Sequence, residues 1–195
     1  NFNFDNRWPG HHLNSHMQIR SVAVFCGSKT GKNPLIAVHT AELGKYLGLL
    51  RLTLIYGGGN TGLMGIIANT ALAEGCTVIG IIPELLKELE HHHKGISELH
   101  IVADMHIRKK MMYEKSDAAI ILPGGFGTLD ELFEMLTWNQ LKIHNKKIYI
   151  LNTDGFYDHL RLHLRELEKE GFLYDSLDER ITFCDTPAEI FNHIS

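Results

Sequence analysis

The sequence predicts an α/β fold, a doubly wound parallel sheet with helices on both faces. Two observations carry the prediction. From Ile19 onward, short β-branched and apolar runs alternate with stretches of helical periodicity. Three of those runs also end in glycine turns, where a parallel sheet opens its carboxyl edge to ligands.

Strands are predicted at residues 22–26, 52–56, 77–82, 118–122 and 147–151. Most are continuously apolar, as strands covered on both faces should be. Helices are predicted at 34–49, 61–74, 105–115, 129–141, 156–171 and 187–194. In the fifth of these, Phe156, Leu160, Leu164 and Leu167 follow three-and-four spacing, and Gly171 supplies a C-cap. Residues 84–96 interrupt the rhythm with a charged, histidine-rich insertion, read as a mobile loop near the site.

The chain has 195 residues, of which 44% are apolar, enough for one well-buried core and too few for two ordinary domains. Residues 1–16 carry His11, His12 and His16 just ahead of Met17 and read as a vector-derived leader. Residues 17–195 are then expected to form a single nucleotide-binding domain. A net charge of −4 lacks the basic excess with which nucleic-acid binders neutralise phosphates, so no nucleic-acid partner is expected. No apolar run approaches the roughly 18 residues that span a bilayer, so no membrane partner is expected either. Cys26, Cys76 and Cys184 are widely separated and odd in number, which suggests neither disulfides nor a zinc site and fits a cytoplasmic location.

The three glycine turns are Cys26-Gly27-Ser28, Gly57-Gly58-Gly59-Asn60-Thr61-Gly62 and Pro123-Gly124-Gly125-Phe126-Gly127-Thr128. All three should converge on one crevice. The second fits G-x-G-x-x-G, with Glu84 about 20 residues on, where a dinucleotide domain places its ribose-binding acid. That spacing equally fits a tight strand-to-helix turn with close backbone packing.

The third turn joins a buried strand to a helix and continues through Leu129 and Asp130 to Glu131. Its backbone N–H groups, the Thr128 hydroxyl and the helix dipole would together form an anion cradle suited to a phosphate. The same letters form a capping box, with Thr128 as N-cap and Glu131 closing the first turn, and the spacing alone does not decide.

Residues 105–110 open a helix with Arg108, Lys109 and Lys110 in succession. Cations are unfavourable at a helix N-terminus, so such a cluster wants an external anion unless it is simply a solvated face. His91, His92 and His93 are adjacent in a loop without supporting Cys or Asp spacing, so no metal is expected. Cys26 and Ser28 lack a nucleophile motif.

With the third turn, the chain resembles the LOG-type cytokinin riboside 5′-monophosphate phosphoribohydrolases, whose signature is P-G-G-x-G-T-x-x-E and which are often labelled lysine decarboxylases. The resemblance runs from about Val22 to the C-terminus. It includes Cys26-Gly27-Ser28, the stretch from Tyr56 to Gly65, and Asp104-Met105-His106-Ile107-Arg108-Lys109. It implies a Rossmann-like fold, a homodimer, and hydrolysis of a nucleoside monophosphate, AMP or an N6-modified adenine nucleotide, to free base and ribose 5-phosphate. No cofactor is implied.

By the same resemblance Arg108 and Glu131 are the catalytic pair. Glu90, Lys109, Gly124, Gly125, Phe126, Gly127, Thr128, Leu129, Asp130 and Thr137 fall at substrate-contacting positions, and Gly58, Gly59 and Ser28 join them from the neighbouring turns. Glu131 would then cap its helix and face the ribose at once.

Two other readings compete. A nicotinamide or flavin oxidoreductase built on residues 57–62 is disfavoured because that turn follows the second predicted strand. A non-catalytic nucleotide carrier or sensor would bind AMP without releasing adenine. Lysine decarboxylation is disfavoured, since no lysine sits in a pyridoxal phosphate context.

Overall fold

A computed structural model describes residues 18–87, 89 and 91–195. The expected leader and Glu90 lie outside these residues.

Seven strands form one sheet in the order β4-β3-β2-β1-β5-β6-β7, with every neighbouring pair parallel. They are β1 (Ser21–Phe25), β2 (Thr53–Tyr56), β3 (Val78–Pro83), β4 (Glu98–Val102), β5 (Ala118–Ile121), β6 (Ile148–Leu151) and β7 (Ile181–Cys184). The helices are α1 (Pro34–Leu49), α2 (Gly62–Ala73), α3 (Glu84–Lys87), α4 (Met105–Lys115), α5 (Phe126–Gln140), α6 (Asp158–Lys169), α7 (Leu177–Arg180) and α8 (Pro187–Ile194).

Alternation along the strands divides the core in two. In β1, Val22 and Val24 pack with Leu43 and Leu47 of α1, Ile67 of α2 and Ile190 of α8. Ala23 and Phe25 point the other way, to Met112 and Tyr113 of α4, Leu132 and Met135 of α5, and Leu164 of α6. Both sheet faces are therefore covered, which is why the central strands β1, β2, β3, β5 and β6 are predominantly apolar.

The expected helices 34–49, 105–115 and 187–194 begin and end where predicted. Each starts at a side-chain cap: Asn33 accepts from Leu35 N–H, Asp104 from Ile107 N–H and Thr186 from Glu189 N–H. Two edge strands went unpredicted. β4 mixes Glu98 and His100 with apolar residues because it borders solvent, and β7, with Thr182 among its four residues, forms the opposite edge of the sheet. The first turn of the insertion at 84–96 forms the short helix α3.

The capping-box expectation is overturned. Helix α5 starts at Phe126 with Gly125 as N-cap and no side-chain cap bond, so Thr128 sits inside the first turn and does not cap it. Helix α6 begins two residues later than predicted, after a 3-10 turn at Thr153–Gly155 in which Asp154 takes a left-handed conformation (φ 52°).

Strand order reverses at β1, whose neighbours are β2 and β5. Open parallel sheets bind ligands at such a switch point, outside the carboxyl ends of the strands.

Candidate active site

The three glycine turns meet at that edge. Gly27 N–H donates to Pro123 O at 3.1 Å, and Leu63 N–H donates to Gly27 O at 3.2 Å. These bonds tie the end of β1 to the end of β5 and to the start of α2. A cleft of about 420 Å³ opens between them, lined by Ser28, Lys29, Leu63, Gly124, Gly125 and Phe156.

One rim of this region is the N-terminus of α5. Gly125 and Gly127 have open space where a Cβ would stand, and Phe126 between them is 94% exposed. Gly124 is different. A Cβ there would lie 2.1 Å from the Thr128 hydroxyl oxygen and 3.0 Å from Gly27 N, so its missing side chain is what lets the hydroxyl lie against the turn. Thr128 itself is buried, while Leu129 packs at the margin of the α4/α5 core.

Next to this turn, α4 delivers Arg108. The helix leaves the edge strand β4 and crosses over β3, β2 and β1 toward β5, which carries its N-terminal half across the ends of the central strands. The Arg108 guanidinium reaches the end of β2, where a Cβ on Gly57 would meet its Nη2 at 2.1 Å. Arg108 is only 5% exposed and Glu131 only 6%. Arg108 Nη2 stands 4.0 Å from Glu131 Oε1, close enough for charge pairing and beyond hydrogen-bond length. Cys26, Gly57, Met64 and Met112 surround the pair.

The three consecutive cations of α4, for which the sequence leaves an external anion and a solvated face both open, each face a carboxylate of the protein itself. Arg108 faces Glu131, Lys109 binds Asp130 (3.0 Å) and also Glu134, and Lys110 approaches Glu114 at 3.8 Å. The interhelical contacts exist because α4 and α5 run side by side over one sheet face, which no spacing within α4 could reveal. Burial of the Lys109 ammonium disfavours its charge, but the bonds to Glu134 and Asp130 outweigh that cost and raise its pKa.

The Gly57 to Gly62 turn is closely packed. Gly57 makes room for Arg108, Gly58 (φ 80°) lies against Ile82 and Leu99, and a Cβ on Gly62 (φ 54°) would fall 2.3 Å from Ser28 C. Gly59 pairs with His92 in an isolated bridge, Asn60 N–H donates to His91 O and His93 N–H to Gly58 O. The described part of the histidine insertion is thus docked on this turn. The His93 ring bridges Asn69 Oδ1 through Nε2 (3.0 Å) and accepts from Gly95 N–H at Nδ1, and its burial lowers its pKa. Among the described residues, no three His, Cys, Asp or Glu side chains are grouped to hold a metal ion.

Thr137 does not join Arg108 and Glu131. It lies nearly two turns farther along α5, its hydroxyl donates to Phe133 O at 2.7 Å, and it lines a separate, largely apolar groove of about 250 Å³ with Phe133, Leu136, Leu164 and Phe172.

Comparison with known proteins decides the family. The family described as possible lysine decarboxylase matches residues 64–194. A probable cytokinin riboside 5′-monophosphate phosphoribohydrolase of Oryza sativa subsp. japonica is 43% identical over 87% of this chain and 76% of its own length. One of Arabidopsis thaliana is 42% identical over 89% of this chain and 87% of its own. A cytokinin riboside 5′-monophosphate phosphoribohydrolase of Rhodococcoides fascians is 42% identical over 85% and 84%. The chain belongs to the LOG-type phosphoribohydrolase family.

The Rossmann-like fold of this LOG-type chain is shared more widely. A molybdenum cofactor binding protein of Rippkaea orientalis superposes with a TM-score of 0.68 at 21% identity, over 91% of this chain and 96% of that one. The Moco carrier protein of Chlamydomonas reinhardtii gives 0.67 at 18%, over 89% and 94%.

Beside the LOG-type motif residues sit Glu134 and Tyr113, which sequence reasoning missed, and Gly57, whose turn it named without this contact. Gly57 abuts the Arg108 guanidinium, Glu134 holds Lys109, and the buried Tyr113 hydroxyl donates to Glu131 O at 3.1 Å. Glu134 carried a usable signal, since it follows Glu131 by three and shares its helix face.

Proposed function

We propose that this protein hydrolyses the N-glycosidic bond of a nucleoside 5′-monophosphate, AMP or an N6-modified cytokinin nucleotide, to free base and ribose 5-phosphate. The observation that carries the reading is the buried Arg108–Glu131 pair beside an α5 N-terminus whose N-cap, Gly125, makes no side-chain cap bond, in a chain of this family.

Cleaving a base from ribose builds positive charge on the sugar and negative charge on the departing base. Glu131 stabilises the oxocarbenium-like sugar and orients the attacking water. Arg108 offsets charge on the leaving side. The first-turn N–H groups of α5, with the Thr128 hydroxyl, bind the 5′-phosphate. Grip on the phosphate then helps to hold the anomeric carbon in place. Ser28, Gly124 and Gly125 line the adjoining cleft and contact the sugar phosphate.

A homodimer is part of the same proposal. The groove around Thr137 exposes Phe133, Phe172 and Tyr174, a surface suited to a second copy that would complete the base pocket. No helix among the described residues is long and apolar enough to cross a membrane, and we place the protein in the cytoplasm because its three cysteines are odd in number and widely separated in sequence.

Incubation with a panel of nucleosides and their 5′-monophosphates, isopentenyl-AMP included, tests the reading by chromatography of the free base. Release from monophosphates and not from nucleosides is expected. Preference for unphosphorylated nucleosides would contradict it.

A further inference from the structure

We propose that Lys109 and Glu134 form a positioning clamp that keeps Arg108 opposite Glu131, and that Lys109 is not a ligand of the substrate phosphate. The inference rests on the hydrolase reading above and deepens it.

Two adjacent cations of α4 face carboxylates of α5. Arg108 is opposite Glu131, and Lys109 is opposite Asp130 and Glu134. One turn farther on, Tyr113 adds its hydroxyl bond to Glu131 O. The helices are thus stitched at three successive points around the reacting pair.

Charge accounts for the division of labour. Asp130, Glu131 and Glu134 place three carboxylates on little more than one turn of α5. Without Lys109 they would compete for Arg108, and a guanidinium drawn toward Glu134 would leave Glu131. Lys109 satisfies the two outer carboxylates and reserves Arg108 for the central one.

Geometry also argues against a phosphate role. The side chains of Lys109 and Glu134 are only 14% and 16% exposed. Turning the ammonium toward a phosphate would strand the Glu134 carboxylate, largely removed from water and without its cation.

The test uses the full chain and four proteins: wild type, K109M, E134Q and the double variant. Each is assayed for kcat and KM with AMP, for ribose 5-phosphate binding by calorimetry, and for thermal midpoint. K109M should lose about tenfold or more in kcat while KM and ribose 5-phosphate affinity stay within about threefold. Adding E134Q should restore much of the lost kcat, because it removes the competing charge. The two substitutions should also be non-additive in thermal stability. K109R, which keeps a cation at the clamp, covers the case in which K109M is poorly folded and should retain most of the kcat.

The clamp is overturned if K109M weakens ribose 5-phosphate binding tenfold or more and E134Q gives no rescue. It is equally overturned if K109R loses as much kcat as K109M. Failure of the wild type to release base from any monophosphate would refute the hydrolase reading alone. The stability cycle and the ribose 5-phosphate arm would still judge the clamp.

Discussion

The Arg108 guanidinium occupies the space that a side chain on Gly57 would need. A Cβ at Gly57 would stand 2.1 Å from Arg108 Nη2 and 3.2 Å from Met64 Sδ. Both obstacles are the ends of long side chains, so Gly57→Ala should leave stability within about 1 kcal/mol of wild type. The guanidinium, however, has to move. Under the proposed role of Arg108, a displacement of about 1 Å costs on the order of 100-fold, and a kcat loss of that size is expected with a urea midpoint close to that of wild type. Comparable loss of stability and activity would show that Gly57 acts through folding.

Gly62 should behave in the opposite way. It takes φ 54°, and its missing Cβ would fall 2.3 to 2.4 Å from backbone atoms of Ser28 and Lys29, which cannot swing aside. Gly62→Ala combines left-handed strain with overpacking and should destabilise by roughly 2–5 kcal/mol in urea unfolding.

In the proposed function the Thr128 hydroxyl serves the phosphate and not the sugar chemistry, and a substitution there can separate the two. Thr128→Val keeps the shape and removes the donor, so KM for monophosphates should rise about tenfold or more, as expected for loss of a hydrogen bond to a charged group. Turnover of unphosphorylated nucleosides, however slow, should change little. Equal effects on both substrate classes would place the phosphate elsewhere.

His144 gives the fold a measurable pH dependence. Burial, with the nearby Lys146 and Arg180 charges, pushes its pKa down from 6.5 to about 4. As pH falls, the unfolded chain therefore takes up this proton before the folded protein does. The stability contribution is complete above about 6.5 and is lost between there and about 4, by at most about 3 kcal/mol given the partial exposure of the ring. Asparagine can keep the acceptor that Lys146 N–H uses at Nδ1. Chemical denaturation across that window should show a shallower fall for His144→Asn than for wild type.

How much of this was legible in the sequence depended on whether the cause was local. Helices α1, α4 and α8 were placed to the residue because Asn33, Asp104 and Thr186 cap them through contacts two or three residues away. Helix α5 was started three residues late because its true N-cap, Gly125, has no side chain to announce it, while Thr128 and Glu131 imitate a capping box. The strands β4 and β7 escaped because an edge strand owes its pairing to a neighbour distant in sequence.

The site divides in the same way. Arg108 and Glu131 were found through the motifs that contain them, and the meeting of the three glycine turns followed from parallel-sheet geometry. That Gly57 shelters a guanidinium 51 positions away, or that Glu134 holds Lys109, depends on α4 crossing the strand ends beside α5. No pattern within either segment encodes that crossing.

The central claim is that Glu131 is the carboxylate that drives base release. Its most direct test compares wild type with Glu131→Gln on AMP, following adenine by chromatography and nucleotide binding by calorimetry. The account predicts that adenine release is abolished in the variant while AMP binds with an affinity within about tenfold of wild type. Near-normal release of adenine by Glu131→Gln would contradict it.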